Sequence, residues 1–250
     1  MFKGFYNLTS GMLTHQRNLN VVANNLTNIS TSGFKAGRYS SSTFDEVLYS
    51  RVGNKDKEYG EIGEQSYIRA TSEIVTDFSQ GALEPTDIPL DFAIEGDGFF
   101  AMRNTEGDIL YTRAGSFSLD QDGYLVFSGY GRILDNNLQE IQLKTDKIQG
   151  DRFGNLYLKE NNAFMGRLGV FTFDDLDALE YNEEGIFVGE NAQLLETPKI
   201  RNGFLERANV DMVNQMTEML AAQRAFQSAA QASKIYDNVM TKAVTEIGRL

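Results

Sequence analysis

The chain contains no cysteine, no tryptophan and one histidine, His15. The lack of cysteine excludes disulfide bonds, thiolate nucleophiles and every zinc site that needs a sulfur ligand. His15 has no second imidazole in the chain with which it could share a metal ion. We therefore predict that the chain has no metal site.

Positive charge is also scarce, because 23 lysines and arginines face 35 aspartates and glutamates, which gives a formal net charge of −12. Such a chain repels nucleic acid and anionic lipid, and no basic cluster offsets this repulsion. No apolar run approaches the ~20 residues that a membrane span requires. Residues 1–7 lack the apolar core of a secretory signal peptide. We predict no nucleic-acid partner, no membrane insertion and no cleaved signal peptide.

Short motifs that could carry chemistry have simpler explanations. Asp120-Gln121-Asp122-Gly123 resembles part of a calcium loop, but glycine stands at position 129, where the loop needs a glutamate. Gly96-Asp97-Gly98 precedes the strand-like pair Phe99-Phe100, whereas a phosphate loop precedes a helix. Asp174 and Asp175 flank a turn-like stretch, as solvated surface charges do. We predict no catalytic residues and no cofactor site, and hence no enzyme.

The N-terminal residues show the heptad period of a long helix. The seam consists of Phe5, Leu8, Met12, His15, Leu19, Val22, Leu26 and Ile29. His15 is interpreted as a polar notch that sets the register of the seam. We expect the helix to end near residues 30–33, where Gly33 can adopt the left-handed conformation.

The other face of this helix is uncharged. Between Gly4 and Gly33 the one formal charge is Arg17, and the remaining polar residues are asparagine, threonine, serine and glutamine. A helix on a water-facing surface normally carries many charges. An uncharged polar face suits a helix that lies between several neighbours, where desolvating a charge would cost several kcal/mol.

From about Leu90 the hydrophobic period changes from 3.6 to 2. Short apolar runs alternate with turn signals such as Glu106-Gly107-Asp108 and Asp122-Gly123 at roughly ten-residue spacing. This pattern predicts an all-β unit of hairpins. Residues 37–78 are mixed and are interpreted as an extended or hairpin-like connector.

The helical period returns after Gly203, and no proline or glycine interrupts residues 204–247. The main stripe includes Met212, Met216, Met219, Gln223 and Phe226, and a second stripe of Val213, Leu220, Ile235 and Val239 widens it. With Asn209 as a plausible N-cap, a helix from Asn209 to Ile247 would be about 58 Å long. One small β domain cannot cover such a helix.

These patterns predict an α+β fold, in which a mainly-β body is inserted between long, heptad-patterned N- and C-terminal helices that pair as a coiled coil. The predicted boundaries are 1–35 for the N-terminal helix of a discontinuous axial core domain, 36–80 for the connector, 81–202 for the β-rich domain and 203–250 for the C-terminal helix. Each helix has more surface to bury than one subunit supplies. Contacts between copies that do not close by rotation generate filaments.

The predicted assembly interface is the set of helix positions that the two heptad patterns place on one face. It comprises Phe5, Leu8, Met12, Leu19, Val22, Asn25, Leu26, Ile29, Met212, Met216, Met219, Leu220, Gln223, Phe226, Ala230, Met240, Val244 and Ile247.

Three blocks of sequence, in order along nearly the whole chain, resemble the signatures of flagellar basal-body rod proteins of the rod/hook family. The first includes Ser10-Gly11-Met12, Asn20-Val21-Val22-Ala23-Asn24-Asn25-Leu26-Thr27-Asn28 and Thr31-Ser32-Gly33-Phe34-Lys35. The second includes Leu90-Asp91-Phe92-Ala93-Ile94-Glu95-Gly96-Asp97-Gly98-Phe99-Phe100, Tyr111-Thr112-Arg113-Ala114-Gly115-Ser116-Phe117 and Asp122-Gly123-Tyr124-Leu125-Val126. The third includes Gly203-Phe204-Leu205-Glu206-Arg207-Ala208-Asn209-Val210-Asp211, Met216-Thr217-Glu218-Met219 and Gln223-Arg224-Ala225-Phe226.

The resemblance implies a structural subunit that polymerises helically into the hollow drive shaft of the bacterial flagellum. This shaft transmits torque to the hook and passes export substrates, and paired terminal helices line its channel. The implied partners are further copies, other rod and hook subunits, and the flagellar type III export apparatus. The implied location is the basal body, outside the cytoplasm.

The length and the complete middle block resemble the longer, distal-type rod subunits. Two alternatives stay open. One is a hook or rod–hook junction subunit of the same family. The other is a β-rich hydrolase with helical oligomerisation arms, which would need a pocket with convergent titratable groups.

Overall fold

The fold is described from a computed structural model of the chain. It describes residues 3–43, 47–52, 59–65, 69–176, 178–182 and 185–247. Helix α1 spans Lys3–Thr27 and helix α2 spans Met212–Ile247. The strands between them are β1 Gly37–Thr43, β2 Val47–Val52, β3 Tyr59–Gln65, β4 Arg69–Thr76, β5 Leu83–Pro85, β6 Phe92–Ile94, β7 Phe99–Arg103, β8 Ile109–Thr112, β9 Ser118–Leu119, β10 Leu125–Phe127, β11 Gly131–Ile133, β12 Ile148–Gly150, β13 Asn155–Leu158, β14 Phe164–Arg167, β15 Val170–Thr172, β16 Glu180–Asn182, β17 Ile186–Val188, β18 Gln193–Leu194, β19 Ile200–Asn202 and β20 Phe204–Glu206.

The chain divides into two compact units, each assembled from separate segments. The terminal unit comprises Met1–Leu26, Gly37–Val75 and Met212–Leu250. The β unit comprises Thr27–Ala36 and Thr76–Asp211. The N- and C-terminal parts of the sequence therefore fold together, as an inserted body requires.

In the terminal unit, α1 and α2 accompany two pairs of strands. Strand β1 lies beside β4, and β2 pairs antiparallel with β3, with Val47 opposite Gln65 and Val52 opposite Tyr59. These strands occupy the segment for which an extended or hairpin-like connector was predicted.

In the β unit, the main sheet has the order β16-β17-β8-β7-β11-β10-β9, and β15 joins it by pairing with β7 and β18. Strand β7 is the centre of this sheet, because it pairs with β8 along one edge and with β11 and β15 along the other. Smaller sheets are formed by β12-β13-β14, by β19 with β6 and by β20 with β5.

The core of the β unit follows from the alternation of side chains along β7. Phe100 and Met102 pack into one hydrophobic cluster, whereas Phe99 and Ala101 pack into another. Successive side chains of a strand point to opposite faces, so one strand supplies both clusters. The second cluster is rich in aromatic contacts, including Phe99 with Phe187 at a centroid distance of 5.2 Å.

The predicted ends of both helices need correction. Helix α1 ends at Thr27 rather than near Ser30–Gly33. The chain turns instead, with the amide of Thr31 bonded to the carbonyl of Asn28 at 3.0 Å. Gly33 does adopt the left-handed conformation, with φ +72°, but beyond the helix.

Helix α2 begins at Met212, so Asn209 is not its N-cap. The Asn209 side chain accepts a hydrogen bond from the Ala36 amide at 2.7 Å and donates one to the Asp77 carbonyl at 2.7 Å. An amide side chain offers donors and acceptors together, and here it joins segments distant in sequence rather than closing a helix.

The β-rich body between an N-terminal and a C-terminal helix is confirmed. Within the part of the chain that the structure describes, no helix is both long and apolar enough to cross a membrane.

Candidate functional site

Helix α2 exposes a stripe of large apolar side chains in the single chain. The exposed fractions are 72% for Val213, 56% for Leu220, and 58% for both Ile235 and Val239. These four residues are the second stripe that the sequence pattern identified. At 1.5 Å per residue, the 36 residues of α2 extend over about 54 Å. Several large apolar side chains exposed on one helix mark a candidate interaction site.

The residues predicted for the assembly interface differ in burial. In α1, Val22 and Asn25 are buried, Leu8, Met12, Leu19 and Leu26 are half-buried, and Phe5 is exposed. In α2, Met219, Phe226, Ala230 and Met240 are half-buried, whereas Met212, Met216, Leu220, Gln223 and Val244 are exposed. Ile29 lies in the turn beyond α1, and Ile247 is the last residue of α2. Whether these residues form an interface stays a prediction.

The two helices contact each other with opposite chain directions. A Cβ atom placed on Gly4 would lie 3.3 Å from the ring of Tyr236. At the other end, the Asn25 side-chain amide donates to the Gln215 side chain at 3.1 Å. The same Asn25 also donates to the Gly37 carbonyl and accepts from the Gly37 amide. Asn25 therefore fixes the end of α1 against both α2 and β1.

Between these contacts lies a groove of about 480 Å³, lined by His15, Asn18 and Val22 of α1 and by Glu218 and Ala222 of α2. The helices thus leave open space along part of their shared length. Continuous knobs-into-holes packing, which defines a coiled coil, stays a prediction.

The β unit contains a buried charge cluster of Lys35, Arg113 and Glu206. Lys35 Nζ lies 2.7 Å from Glu206 Oε1, and Arg113 Nε lies 2.7 Å from Glu206 Oε2. All three side chains are at most 4% exposed. The partners are 171 and 93 residues apart in sequence, so the cluster joins the N-terminal segment, the middle of the β unit and the C-terminal strand β20.

Every charged group of the cluster has further hydrogen bonds. Lys35 donates to the Ser79 carbonyl at 2.8 Å, and Glu206 accepts from the Gly81 amide at 2.9 Å. The Arg113 guanidinium also donates to the carbonyls of Gly96 and Gly98. The Gly96-Asp97-Gly98 segment therefore presents carbonyl oxygens to a cation, not amides to a phosphate.

Burial lowers the pKa of Lys35, because the desolvation of the ammonium outweighs the attraction of Glu206. Arg113 lowers the pKa of Lys35 further by repulsion, whereas Asp77 raises it. Two cations thus share one carboxylate, which is a costly arrangement unless the hydrogen bonds are complete. The cluster has the properties of a structural tie between three segments of the chain.

We expect this pKa shift to make stability pH-dependent. The unfolded chain has a lysine pKa of about 10.4, so above the lowered folded-state pKa the unfolded state binds more protons, and stability rises with pH. The unfolding free energy of the natural protein should therefore rise, relative to that of Lys35→Met, as the pH increases toward the unfolded-state lysine pKa of about 10.4. Denaturant unfolding at several pH values measures this difference.

Lys147→Met is the matched control, because Lys147 is 68% exposed beside Glu160. The stability difference between this variant and the natural protein should change little with pH. If the unfolding free energy of the natural protein, relative to that of Lys35→Met, stays constant or falls as the pH rises, the Lys35 pKa is not lowered in the folded state.

Sequence reasoning missed the charge cluster. Lys35, Arg113 and Glu206 each lie inside a block that carries the family resemblance, beside glycine or apolar residues such as Phe34 and Leu205. A charged residue with apolar neighbours in the sequence indicates a buried charge, but it does not reveal which residues pair with that charge. Among the described residues, no group of histidine, cysteine, aspartate and glutamate could hold a metal ion.

Comparison with known protein families matches each of the three sequence blocks. Residues 5–35 match the model described as flagella basal body rod protein. Residues 93–149 match the flagellar hook protein FlgE/F/G D1 domain. Residues 201–246 match the flagellar basal body rod FlgEFG protein C-terminal model.

Curated relatives match over nearly their whole length. The flagellar basal-body rod protein FlgG of Bacillus subtilis is 31% identical over 98% of this chain and 98% of its own. The flagellar hook-basal body complex protein FlhO of the same organism is 28% identical, with both chains fully covered. The flagellar basal-body rod protein FlgF of Mesorhizobium japonicum is 27% identical over 99% of each chain. With all three blocks matched and one such relative above 30% identity, the chain belongs to the family of flagellar basal-body rod proteins and is a structural protein of the flagellum.

Proposed function

We propose that this chain is a rod subunit that polymerises helically through α1 and α2 into the hollow drive shaft. The observation that carries the proposal is the exposed apolar stripe of α2, formed by Val213, Leu220, Ile235 and Val239. Burial of such apolar surface contributes ~25 cal/mol of favourable free energy per Å², and this favours the association of copies. Neighbouring copies would cover the stripe, and α1 and α2 would pair as a coiled coil around a channel.

The uncharged face of α1 supports the same proposal. Its polar residues can form hydrogen bonds at a packed interface without the desolvation cost of a charge. Torque transmission and the passage of export substrates through the channel follow from a hollow, continuous shaft. We propose export by the flagellar type III apparatus and assembly outside the cytoplasm. We also propose no enzymatic activity and no nucleic-acid or membrane partner.

A hook or rod–hook junction subunit is the second candidate. It is favoured by the match of residues 93–149 to a model that is named for a hook protein, and by the FlhO relative with its hook-basal body name. The two candidates differ in location, not in the helix interface. No comparison reported above supports the hydrolase hypothesis.

The experiment that tests the proposal replaces Leu220 by aspartate. If α2 is buried between copies, the new carboxylate loses its hydration there at a cost of several kcal/mol, and each 1.4 kcal/mol changes an equilibrium about tenfold. We expect incorporation into purified hook–basal bodies to fall more than about tenfold. Quantitative mass spectrometry of intact particles and of detached hooks measures both the amount and the location.

Val188→Asp is the matched control, because Val188 is an apolar residue of the β unit that is 45% exposed and lies outside the predicted interface. It should be incorporated normally. Normal incorporation of Leu220→Asp would contradict assembly through this stripe. Abundance of the natural chain in detached hooks would favour the hook candidate over the rod.

A further inference from the structure

A groove of about 790 Å³ lies on the β unit, between the segments 149–153 and 199–204. Three cationic side chains line it, namely Arg152, Lys199 and Arg201, and all three are exposed. We refer to it as the cationic groove. Such a concentration of positive charge is unusual in a chain whose net charge is −12.

The carboxylates of the groove do not cancel its positive charge. Glu95 accepts a hydrogen bond from Arg201 Nε at 2.9 Å. Asp151 is occupied by its own turn, since it accepts from the backbone amides of Phe153 and Asn155 at 2.8 and 2.9 Å. Three cationic side chains face the two carboxylates that line the groove, so one positive charge remains in excess.

Glu95 responds to all three cations. The hydrogen bond from Arg201 lowers its pKa most, and the charge of Arg201 lowers it next. Desolvation opposes this shift, and the charges of Lys199 and Arg152 lower the pKa by smaller amounts. The three cations therefore act at one place, although Arg152 lies far in sequence from Lys199 and Arg201. A carboxylate that enters the groove would experience the same field.

The backbone beneath these side chains is fixed by hydrogen bonds. The Ile200 amide donates to the Arg152 carbonyl at 2.9 Å, and the Glu95 amide donates to the Lys199 carbonyl at 2.7 Å. Strand β19 pairs with β6 across the same region. A binding site on paired strands needs little ordering when its ligand arrives, which favours binding.

We propose that the cationic groove of one copy binds the acidic turn of a second copy, formed by Asp174 and Asp175. Both aspartates are exposed, and the neighbouring Leu176 is 36% exposed. The groove offers the opposite charge together with the exposed apolar ring of Phe153. The inference rests on the proposed function, because it places this contact between adjacent subunits of the assembly.

Site-directed cross-linking tests the contact directly, since the chain has no cysteine of its own. Two differently tagged full-length chains are produced together, one carrying Phe153→Cys and the other Leu176→Cys. After oxidation of isolated basal bodies, we expect a disulfide-linked pair that contains one chain of each kind. Chains with the same substitution should not be linked to each other.

Charge reversal then identifies the partners. Lys199→Glu on the first chain, or Asp174→Lys on the second, should reduce the mixed cross-link at least about tenfold, because like charges across an interface cost several kcal/mol. Both reversals together should restore it. If all variants unfold at the same denaturant midpoint as the natural protein, loss of fold is excluded as the reason for a weaker cross-link.

The outcomes separate this inference from the proposed function. Incorporation of both chains without a mixed cross-link would overturn the inference and leave the rod subunit in place. A cross-link that is insensitive to reversal, or one that the double reversal fails to restore, would overturn the charge pairing. If neither the natural nor the tagged chains enter basal bodies, the proposed function itself fails.

Discussion

Replacement of Glu206 by glutamine is expected to lower the free energy of unfolding of the β unit by about 3–5 kcal/mol. Glutamine keeps the shape of the side chain but removes the one carboxylate that faces both Lys35 and Arg113 at 2.7 Å. Two buried cations then remain next to each other without the carboxylate that contacted both. The uncompensated charge, rather than the lost hydrogen bonds, dominates the expected loss.

The companion variant Lys35→Met should have a much smaller effect. It removes one of the two cations, and Glu206 keeps its pairing with Arg113 and its hydrogen bond from the Gly81 amide. The Ser79 carbonyl, which Lys35 also binds, keeps a donor in Asn209 at 3.1 Å. Removal of one partner of a buried ion pair is costly when it leaves a charge uncompensated, but loss of Lys35 leaves the one-to-one pair of Glu206 and Arg113.

The double variant provides the decisive comparison. If repulsion between Lys35 and Arg113 causes the loss, adding Lys35→Met to Glu206→Gln should recover part of it, as a double-mutant cycle measures. Denaturant unfolding, followed by near-ultraviolet circular dichroism of buried aromatic residues such as Tyr111, supplies the free energies. Additive losses in the double variant would mean that the three charges act independently.

Much of the fold could be predicted from the sequence because its causes are periodic. The spacing of Phe5, Leu8 and Met12 indicated a helix, and the structure has α1 there. Asp122-Gly123 indicated a turn, and the structure has the carboxylate of Asp120 accepting from the Asp122 and Tyr124 amides at 3.0 and 2.8 Å between β9 and β10. Turns and helices depend on residues a few positions apart, which a sequence displays directly.

The charge cluster could not be predicted in this way. Its members lie 93 and 171 residues apart, and no period or spacing relates them. The same limit explains the error at Asn209, where a local capping rule was applied to a side chain whose partners are Ala36 and Asp77. Both cases depend on which segments the fold brings together, and chain order alone does not contain that information.

The exposed stripe of α2 is an intermediate case. The period of Val213 and Leu220 predicted an apolar stripe, but it could not tell whether this chain covers the stripe itself. The structure leaves it exposed. The sequence therefore predicts an interface only by the argument that α2 has more apolar surface than one chain can cover.

Replacement of Gly33 by alanine is the second change with a large expected effect. Gly33 has φ +72°, and a Cβ atom there would lie 2.3 Å from the amide nitrogen of Ala114 and 2.4 Å from the carbonyl carbon of Arg113. Both are backbone atoms, so no side-chain rotation relieves the contact. The Gly33 amide also donates to the Glu206 carbonyl at 2.7 Å, which holds this segment beside the charge cluster.

Two costs add in the Gly33→Ala variant. An alanine in the left-handed conformation costs about 1–2 kcal/mol, and forcing atoms into a filled space costs about 1–3 kcal/mol more. Gly129→Ala isolates the first cost, because Gly129 has φ +89° and open space where its Cβ would lie. Chemical unfolding should therefore show a loss for Gly33→Ala that clearly exceeds that for Gly129→Ala. Equal losses would mean that the segment at Gly33 shifts freely, and that the buried charge cluster does not hold the N-terminal segment in place.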